Sequence, residues 1–258
     1  MLNVKITEPA GTIILDRPSH CNALNREMIE AISQALSDLH QEKRVRGVIL
    51  TGAGAHFCSG MDLKQWHESN VGDEGLERWY ADSQALQSLI EQMLQFPKPI
   101  IAAVDGSAMG SGLALVLASD LVVASHRALF SSATSKRGLV SGLVPPLACF
   151  RCGASLASQM LIGGSQLTAA EAKSLGLVHH VVDSEMIWLR SKTWIESIAE
   201  SPAESIQLTK RVINEMVAEQ LSSQLASGAA ALATSLTTEA AAEGLGAFVE
   251  KRAPKFPR

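Results

Sequence analysis

Two glycine-rich stretches hold the residues best placed to do chemistry. The first is VILTGAGAHFCSGMDL, Val48 to Leu63; the second is GSAMGSGLALVLASD, Gly106 to Asp120. In each, β-formers or small residues feed glycines, and a helix-like segment follows. Gly52, Gly54 and Gly60 permit backbone angles that a side chain resists. Gly106, Gly110 and Gly112 do the same before an apolar helix starting near Leu113. Two strand–turn–helix corners of this kind can aim two backbone N–H groups at one point. Such a pair stabilises negative charge developing on a carbonyl oxygen, each donor contributing roughly 3–4 kcal/mol.

Other reactive side chains give weaker patterns. His67, Glu68, Asp73 and Glu74 follow the first stretch, and Ser131, Ser132, Ser135, Lys136 and Arg137 cluster further on; all read as surface rather than acid–base groups. His126, His179 and His180 read as structural or exposed. His179 and His180 are adjacent on an expected strand, which points them to opposite faces and argues against a shared metal. Cys149 and Cys152 form a C-x-x-C without the second pair a zinc site needs, leaving at most a redox pair. Gly52-Ala-Gly54 begins a dinucleotide fingerprint but has Phe57 where the third glycine belongs, and no G-x-S-x-G occurs.

The elements around these stretches read as α/β. Thr12 to Leu15 is a strand, and Asn25 caps a helix to about Glu42 with Met28, Ile29, Ile32, Leu36 and Leu39 on one face. Val48 to Leu50, Ile100 to Val104, Leu121 to Ala124, Ala128 to Phe130 and Leu177 to Val182 read as further strands. Asp62 to Gly75 reads as polar and irregular, Leu76 to Phe96 as a helix that Pro97 ends, and Ser131 to Pro146 as loop. Thr168 with Glu171 forms a capping box. Helices are expected near Ser184–Glu200, Pro202–Glu219 and Leu221–Ala242, so the composition turns helical near residue 200. This predicts a core over 1–200 and a helical region over 201–258.

The totals exclude several classes. A net charge of -4 gives no basic footprint for nucleic acid, and no apolar run is long enough to span a membrane. The first residues lack a signal-peptide pattern, and four cysteines do not make a disulfide framework, so a cytoplasmic protein is expected.

The segments Ile49 to Leu63, Lys98 to Gly112, Leu167 to Val182 and Glu243 to Phe256 resemble the crotonases, the enoyl-CoA hydratase/isomerase superfamily. The resemblance covers nearly the whole chain. It implies an α/β crotonase fold: a spiral of ββα units with a C-terminal helical oligomerisation region that builds a trimer or a hexamer. It also implies an acyl-CoA thioester ligand and no cofactor other than the coenzyme A of the substrate.

By the same resemblance, the two oxyanion-hole donors are the N–H groups of Met61 and Ser111, with Ser59, Gly60, Leu63 and Gly110 around the acyl group. Ala23 and Leu24 match the stretch beside the CoA pantetheine and adenine. Phe248 and Lys251 match residues that reach the adenine and 3′-phosphate from a neighbouring subunit; the alternative is a solvated tail. Asp62 reads as a base or, preferably, as the cap of the following helix. Cys58 belongs to the family's pattern at this turn and reads as packing.

One departure changes the expected chemistry. The two glutamates of family hydratases fall at Ala114 and Thr134, and the isomerase position falls at or beside Gly142. None of these can exchange a proton near neutral pH. The expectation is therefore an enolate-stabilising lyase or isomerase that does not hydrate ordinary enoyl thioesters; the alternatives are a non-catalytic acyl-CoA binder or assembly partner, or a hydratase/isomerase using a non-standard acid/base.

Overall fold

Alternation along the strands explains how the central sheet buries both of its faces. In Gly47–Gly52, Val48 and Leu50 join one hydrophobic cluster while Ile49 joins another on the opposite side. The same split separates Ile100 and Ala102 from Ile101 and Ala103. The structure, a computed structural model, describes residues 1–68, 75–132, 134–215 and 218–256, except for the side chains of 218 and 219.

The chain opens with an antiparallel pair, β1 (Leu2–Thr7) and β2 (Ala10–Leu15). Helix α1 (Arg26–Gln41) then leads to β3 (Gly47–Gly52), parallel to β2. Asn25 caps α1 by accepting the Met28 N–H at 3.1 Å, and Met28, Ile29, Ile32, Leu36 and Leu39 are buried beneath it. Burying each such side chain contributes about 1.5–3 kcal/mol.

Helices α2 (Leu63–Glu68) and α3 (Gly75–Gln95) precede β4 (Ile100–Val104), which is parallel to β3. The short β5 (Ser107–Met109) leads to α4 (Ser111–Ala118), β6 (Leu121–Ser125) and β7 (Leu129–Ser131). Helices α5 (Val144–Cys152) and α6 (Ala154–Leu161), strand β8 (Leu167–Thr168), helix α7 (Ala169–Ser174) and strand β9 (His180–Val182) complete the layered part. The large sheet has the order β1-β2-β3-β4-β6-β9, and β5, β7 and β8 form a second, small sheet. Four helices follow: α8 (Ile187–Ala199), α9 (Ala203–Glu215), α10 (Ala218–Ser235) and α11 (Glu239–Val249).

Helix α8 covers one face of the large sheet through Ile187 and Ile195. Leu225, Leu232, Ala241 and Leu245 of α10 and α11 belong to the cluster on the other face, together with Leu86 and Leu147. The last helices therefore pack onto their own chain and extend its core.

Several elements differ from the sequence reading. The segment after Asp62 is helical over Leu63–Glu68 and buries Trp66. Pro145 and Pro146 start α5 rather than ending a loop, because the first helical turn has no use for their missing N–H groups. The third expected C-terminal helix is two, divided at Leu236–Thr238, where Thr238 caps α11 by accepting from Ala241. Among the described residues no helix is long and apolar enough to cross a membrane.

Candidate active site

The first glycine turn runs between two other segments. On one side Leu24 N–H donates to Gly60 O at 2.8 Å and Asp62 N–H donates to Leu24 O at 2.9 Å, a parallel bridge between Leu24 and Met61. On the other side Cys58 N–H donates to Ser107 O, and Met109 N–H donates to Cys58 O. A bridge of the first kind turns the Met61 N–H away from Leu24 and toward the side of β5.

That side is where β5 enters the second turn. Ser111 is the first residue of α4, so its N–H has no acceptor within the helix. Neither the Met61 nor the Ser111 N–H has a hydrogen-bond partner among the described residues. Gly60 joins the two turns: its φ is +95°, and a β-carbon on it would stand 3.2 Å from the Ser111 nitrogen. Two amides so placed can donate to one acceptor brought between the turns.

A polar network fixes the first turn from behind. The buried Asn22 donates to Ala53 O and His56 O and accepts from Arg17 N–H. Arg17 reaches Ala23 O at 2.7 Å and Asp62 Oδ2 at 3.0 Å. The other Asp62 oxygen accepts from the N–H groups of Lys64 and Gln65 at the start of α2. Asp62 is thus a helix cap and an ion-pair partner. Ala23 and Leu24 are buried beside this network. Ser59 is exposed, with its N–H on Cys21 O. Arg17 and Asn22 carry no motif that marks them in the sequence; a buried Asn between two loops is visible only once the loops meet.

The positions without carboxylates differ in surroundings. Ala114 is fully buried in the core under α4. Gly142, with φ +47°, packs on α10, where an added β-carbon would stand 2.8 Å from Leu232 Cβ and 2.9 Å from Gly228 O. Thr134 is half-buried at the start of a 3-10 turn, Thr134–Arg137. A β-carbon on Gly110 would lie 3.8 Å from the Thr134 methyl, so this residue borders the second turn. The Thr134 hydroxyl is 2.6 Å from Ser141 Oγ, which is 2.8 Å from Ser132 Oγ. Nothing in the sequence singles out Ser141.

Helix α11 brings Phe248 to the same wall. Its ring lies under the Arg137 guanidinium at 4.8 Å, and Lys251 follows in a left-handed conformation that ends the helix. These contacts are made within one chain.

The remaining candidates lie elsewhere. Burial pushes the Cys58 thiol up to about 12, which keeps it neutral. Cys149 and Cys152 are free thiols on α5. His126 is exposed near Asp183. His179 and His180 are not on opposite faces: the strand begins only at His180, and both rings meet Trp194 edge-on. Lys136 and Ser135 are exposed, whereas Ser131 is buried and its carbonyl accepts from Gly110 N–H. His67 and Glu68 end α2, and Asp73 and Glu74 lie outside the described residues. No His, Cys, Asp and Glu group able to hold a metal occurs among the described residues. A cavity of about 380 Å³ opens between α3, α9 and α10 but includes none of the turn residues. Lys210, which lines that cavity, is bonded to Asp120 and two carbonyls.

Comparison with known proteins agrees with this architecture. The family described as enoyl-CoA hydratase/isomerase matches residues 6–258. The chain is 33% identical over 250 residues to enoyl-CoA hydratase domain-containing protein 2, mitochondrial, of Bos taurus, covering 95% of this chain and 83% of that protein. It is 32% identical over 255 residues to 1,2-epoxyphenylacetyl-CoA isomerase of Escherichia coli K12, covering 95% and 94%. The crystal structure of an enoyl-CoA hydratase from Mycobacterium avium subsp. paratuberculosis K-10 superposes with a TM-score of 0.85 at 28% identity, covering 100% and 98%. An α/β fold with a C-terminal helical region, adjoining glycine turns and a family match over nearly all its length together place this chain in the enoyl-CoA hydratase/isomerase family, within the crotonase superfamily.

Proposed function

We propose that this protein binds acyl-CoA thioesters and polarises the thioester carbonyl with the N–H groups of Met61 and Ser111. The observation that carries the proposal is that, among the described residues, both amides lack partners on turns that adjoin at Gly60. Donors held in place before the reaction strengthen as the carbonyl oxygen gains charge, so they favour an enolate-like state. Ser59, Gly110, Leu63 and Thr134 border the acyl group in this reading, with Ala23 and Leu24 beside the pantetheine. Lys251 supplies a mobile positive charge for the 3′-phosphate, and Phe248 offers a face for the adenine. No further cofactor is needed.

Ala114, Thr134 and Gly142 leave the usual acid–base positions without a carboxylate, so hydration of ordinary enoyl thioesters is not the reaction proposed. Decarboxylation of a malonyl-type thioester suits the site better. The C–C bond to the carboxylate breaks, its electron pair enters the enolate held by the two amides, carbon dioxide leaves, and a proton then adds to the α-carbon. Incubation of malonyl-type and simple acyl-CoA thioesters in deuterium oxide, read by mass spectrometry, tests this. Loss of carbon dioxide or α-deuteration supports it; rapid hydration of crotonyl-CoA overturns it.

A second reading is a non-catalytic acyl-CoA binder or assembly partner. It is favoured by the Thr134 hydroxyl, which is already engaged by Ser141 and has no titratable neighbour within its turn beyond Lys136 and Arg137. Binding without any mass change in that experiment selects it. For assembly we propose a trimer or hexamer, since Leu208, Val212 and Ile213 of α9 are 57%, 60% and 51% exposed in a single chain. Sedimentation of a monomer at micromolar concentration would refute that. A cytoplasmic location fits the four free thiols and is checked by fractionation.

A further inference from the structure

Beside the second glycine turn is a run of hydroxyl groups linked to one another. Ser141 Oγ lies 2.6 Å from Thr134 Oγ1, 2.8 Å from Ser132 Oγ and 3.2 Å from the Ser132 carbonyl. From Ser131 to Gly142 the chain carries five hydroxyl side chains, Lys136 and Arg137, and no carboxylate. Ser132 is buried, Ser141 is half-buried, and Thr134 stands next to Gly110 at the end nearest the second turn.

Each hydroxyl has one hydrogen to give and two lone pairs, and its hydrogen rotates to suit the surroundings. With no ligand, all three hydrogens can be used internally. Thr134 and Ser132 donate to Ser141, and Ser141 donates to the Ser132 carbonyl. The network then has only lone pairs to offer an outside ligand. Turning the Ser141 hydrogen toward Thr134 reverses one link. Ser132 now donates to Ser141, Ser141 donates to Thr134, and the Thr134 hydrogen is released from the network to an outside acceptor. Donation in series polarises each hydroxyl, and a hydrogen bond to an ionised acceptor is stronger than one to a neutral acceptor. A negatively charged acceptor therefore gains most from the reversal, and the two neighbouring cations add to its preference.

We propose that Ser132, Ser141 and Thr134 form a hydroxyl ladder that recognises a carboxylate carried on the acyl part of a CoA thioester. Thr134 makes the contact, and Ser141 is the positioning residue that decides which way its hydrogen points. The inference rests on the acyl-CoA reading above and adds to it the residues that would read the free carboxylate of a malonyl-type thioester. It also accounts for a polar but uncharged residue at Thr134, since a glutamate there would repel the carboxylate.

The test is a stopped-flow binding titration of malonyl-CoA against propionyl-CoA, read before turnover. The two ligands differ by a carboxylate in place of a methyl group. The intact protein is expected to favour malonyl-CoA by on the order of tenfold. Thr134→Val is expected to weaken malonyl-CoA binding far more than propionyl-CoA binding, and Thr134→Ser to restore the preference. Ser141→Ala lowers the preference several-fold, with propionyl-CoA affinity and melting temperature unchanged, which a merely structural serine would not do. Equal affinity of the two ligands for the intact protein, or a preference that survives Thr134→Val, overturns the ladder and leaves the acyl-CoA reading standing. If Thr134→Val also loses propionyl-CoA, the Ser141→Ala ratio decides, and an unchanged ratio overturns the ladder. Failure of both thioesters to bind overturns the acyl-CoA reading and the ladder together.

Discussion

Gly60 and Ser111 meet so closely that a β-carbon on Gly60 would stand 3.2 Å from the Ser111 nitrogen and 2.8 Å from the Met109 carbonyl oxygen. Gly60→Ala must therefore part the two turns, and its φ of +95° resists any L side chain. Activity on a thioester substrate is expected to fall about 10²–10³-fold, the usual loss when one donor to a developing oxyanion is displaced. Steady-state kinetics with an accompanying thermal melt checks this, and unchanged kcat/KM would refute it.

Asp62 joins the first turn to the start of α2 and to Arg17. Asp62→Ala removes the cap and strands a largely buried guanidinium, so destabilisation of about 1–3 kcal/mol is expected. Asp62→Asn keeps the capping oxygen and should lose less. Urea unfolding of both variants measures the difference; a larger loss in Asn than in Ala would show that the capping geometry is irrelevant.

The four thiols should react in a definite order. Cys58 is buried, and its thiol is pushed up to about 12, so it stays protonated at neutral pH. Cys149 is exposed. Titration with a chromogenic disulfide at pH 8 is expected to label Cys149 rapidly and Cys58 only on unfolding. Fast labelling of Cys58 in peptide maps of the native protein would contradict the burial.

His179 gives the fold an acid-sensitive point. Its imidazole is held below 6.5 first by burial and then by the Arg151 and His180 charges, while Nδ1 accepts the Val122 N–H. The folded state thus binds fewer protons than the unfolded chain once pH drops below about 6.5. Stability is present above that value and is lost as pH falls through the lower, folded-state value. His179→Asn keeps an acceptor for Val122 and should flatten the dependence between pH 7 and 5 in denaturant melts. An identical slope in the variant would assign the dependence elsewhere.

Helix α10 approaches the Gly142 loop through Gly228, where an added β-carbon would collide with the Gly142 carbonyl. Gly228→Ala is expected to cost about 1–3 kcal/mol by overpacking. Calorimetry measures it, and a neutral substitution would mean that the loop yields freely.

The parts of the fold that rest on local rules could be read directly from the residues. The Asn25 cap of α1 and the Thr168–Glu171 capping box of α7 both form, because each needs only side chains within one turn. The buried runs at Val48–Leu50 and Ile100–Val104 needed no partner to be recognised as strands. Helix α2 was hidden, since six residues with four polar ones carry little periodicity and Trp66 is held by tertiary packing. Pro145 and Pro146 mark a helix start as readily as a break, and only the following turns decide which. Composition could not reveal that α10 and α11 share the core of the earlier elements. The glycine turns and the family resemblance single out Met61 and Ser111 as candidates, whereas Arg17, Asn22 and Ser141 make contacts that only the folded chain shows.

The Gly142 and Gly228 backbones touch, the carbonyl of Ala240 crowds Gly138, and the carbonyl of Arg137 crowds Gly244. The segment that bears Thr134 and Ser141 is therefore clamped by helices that follow it by about ninety residues or more in the chain. While the chain is being synthesised, the two glycine turns emerge early, but that segment has nothing to lean on until α10 and α11 have followed. A chain interrupted after α9 would thus carry both glycine turns while the Thr134–Ser141 segment still lacked its support.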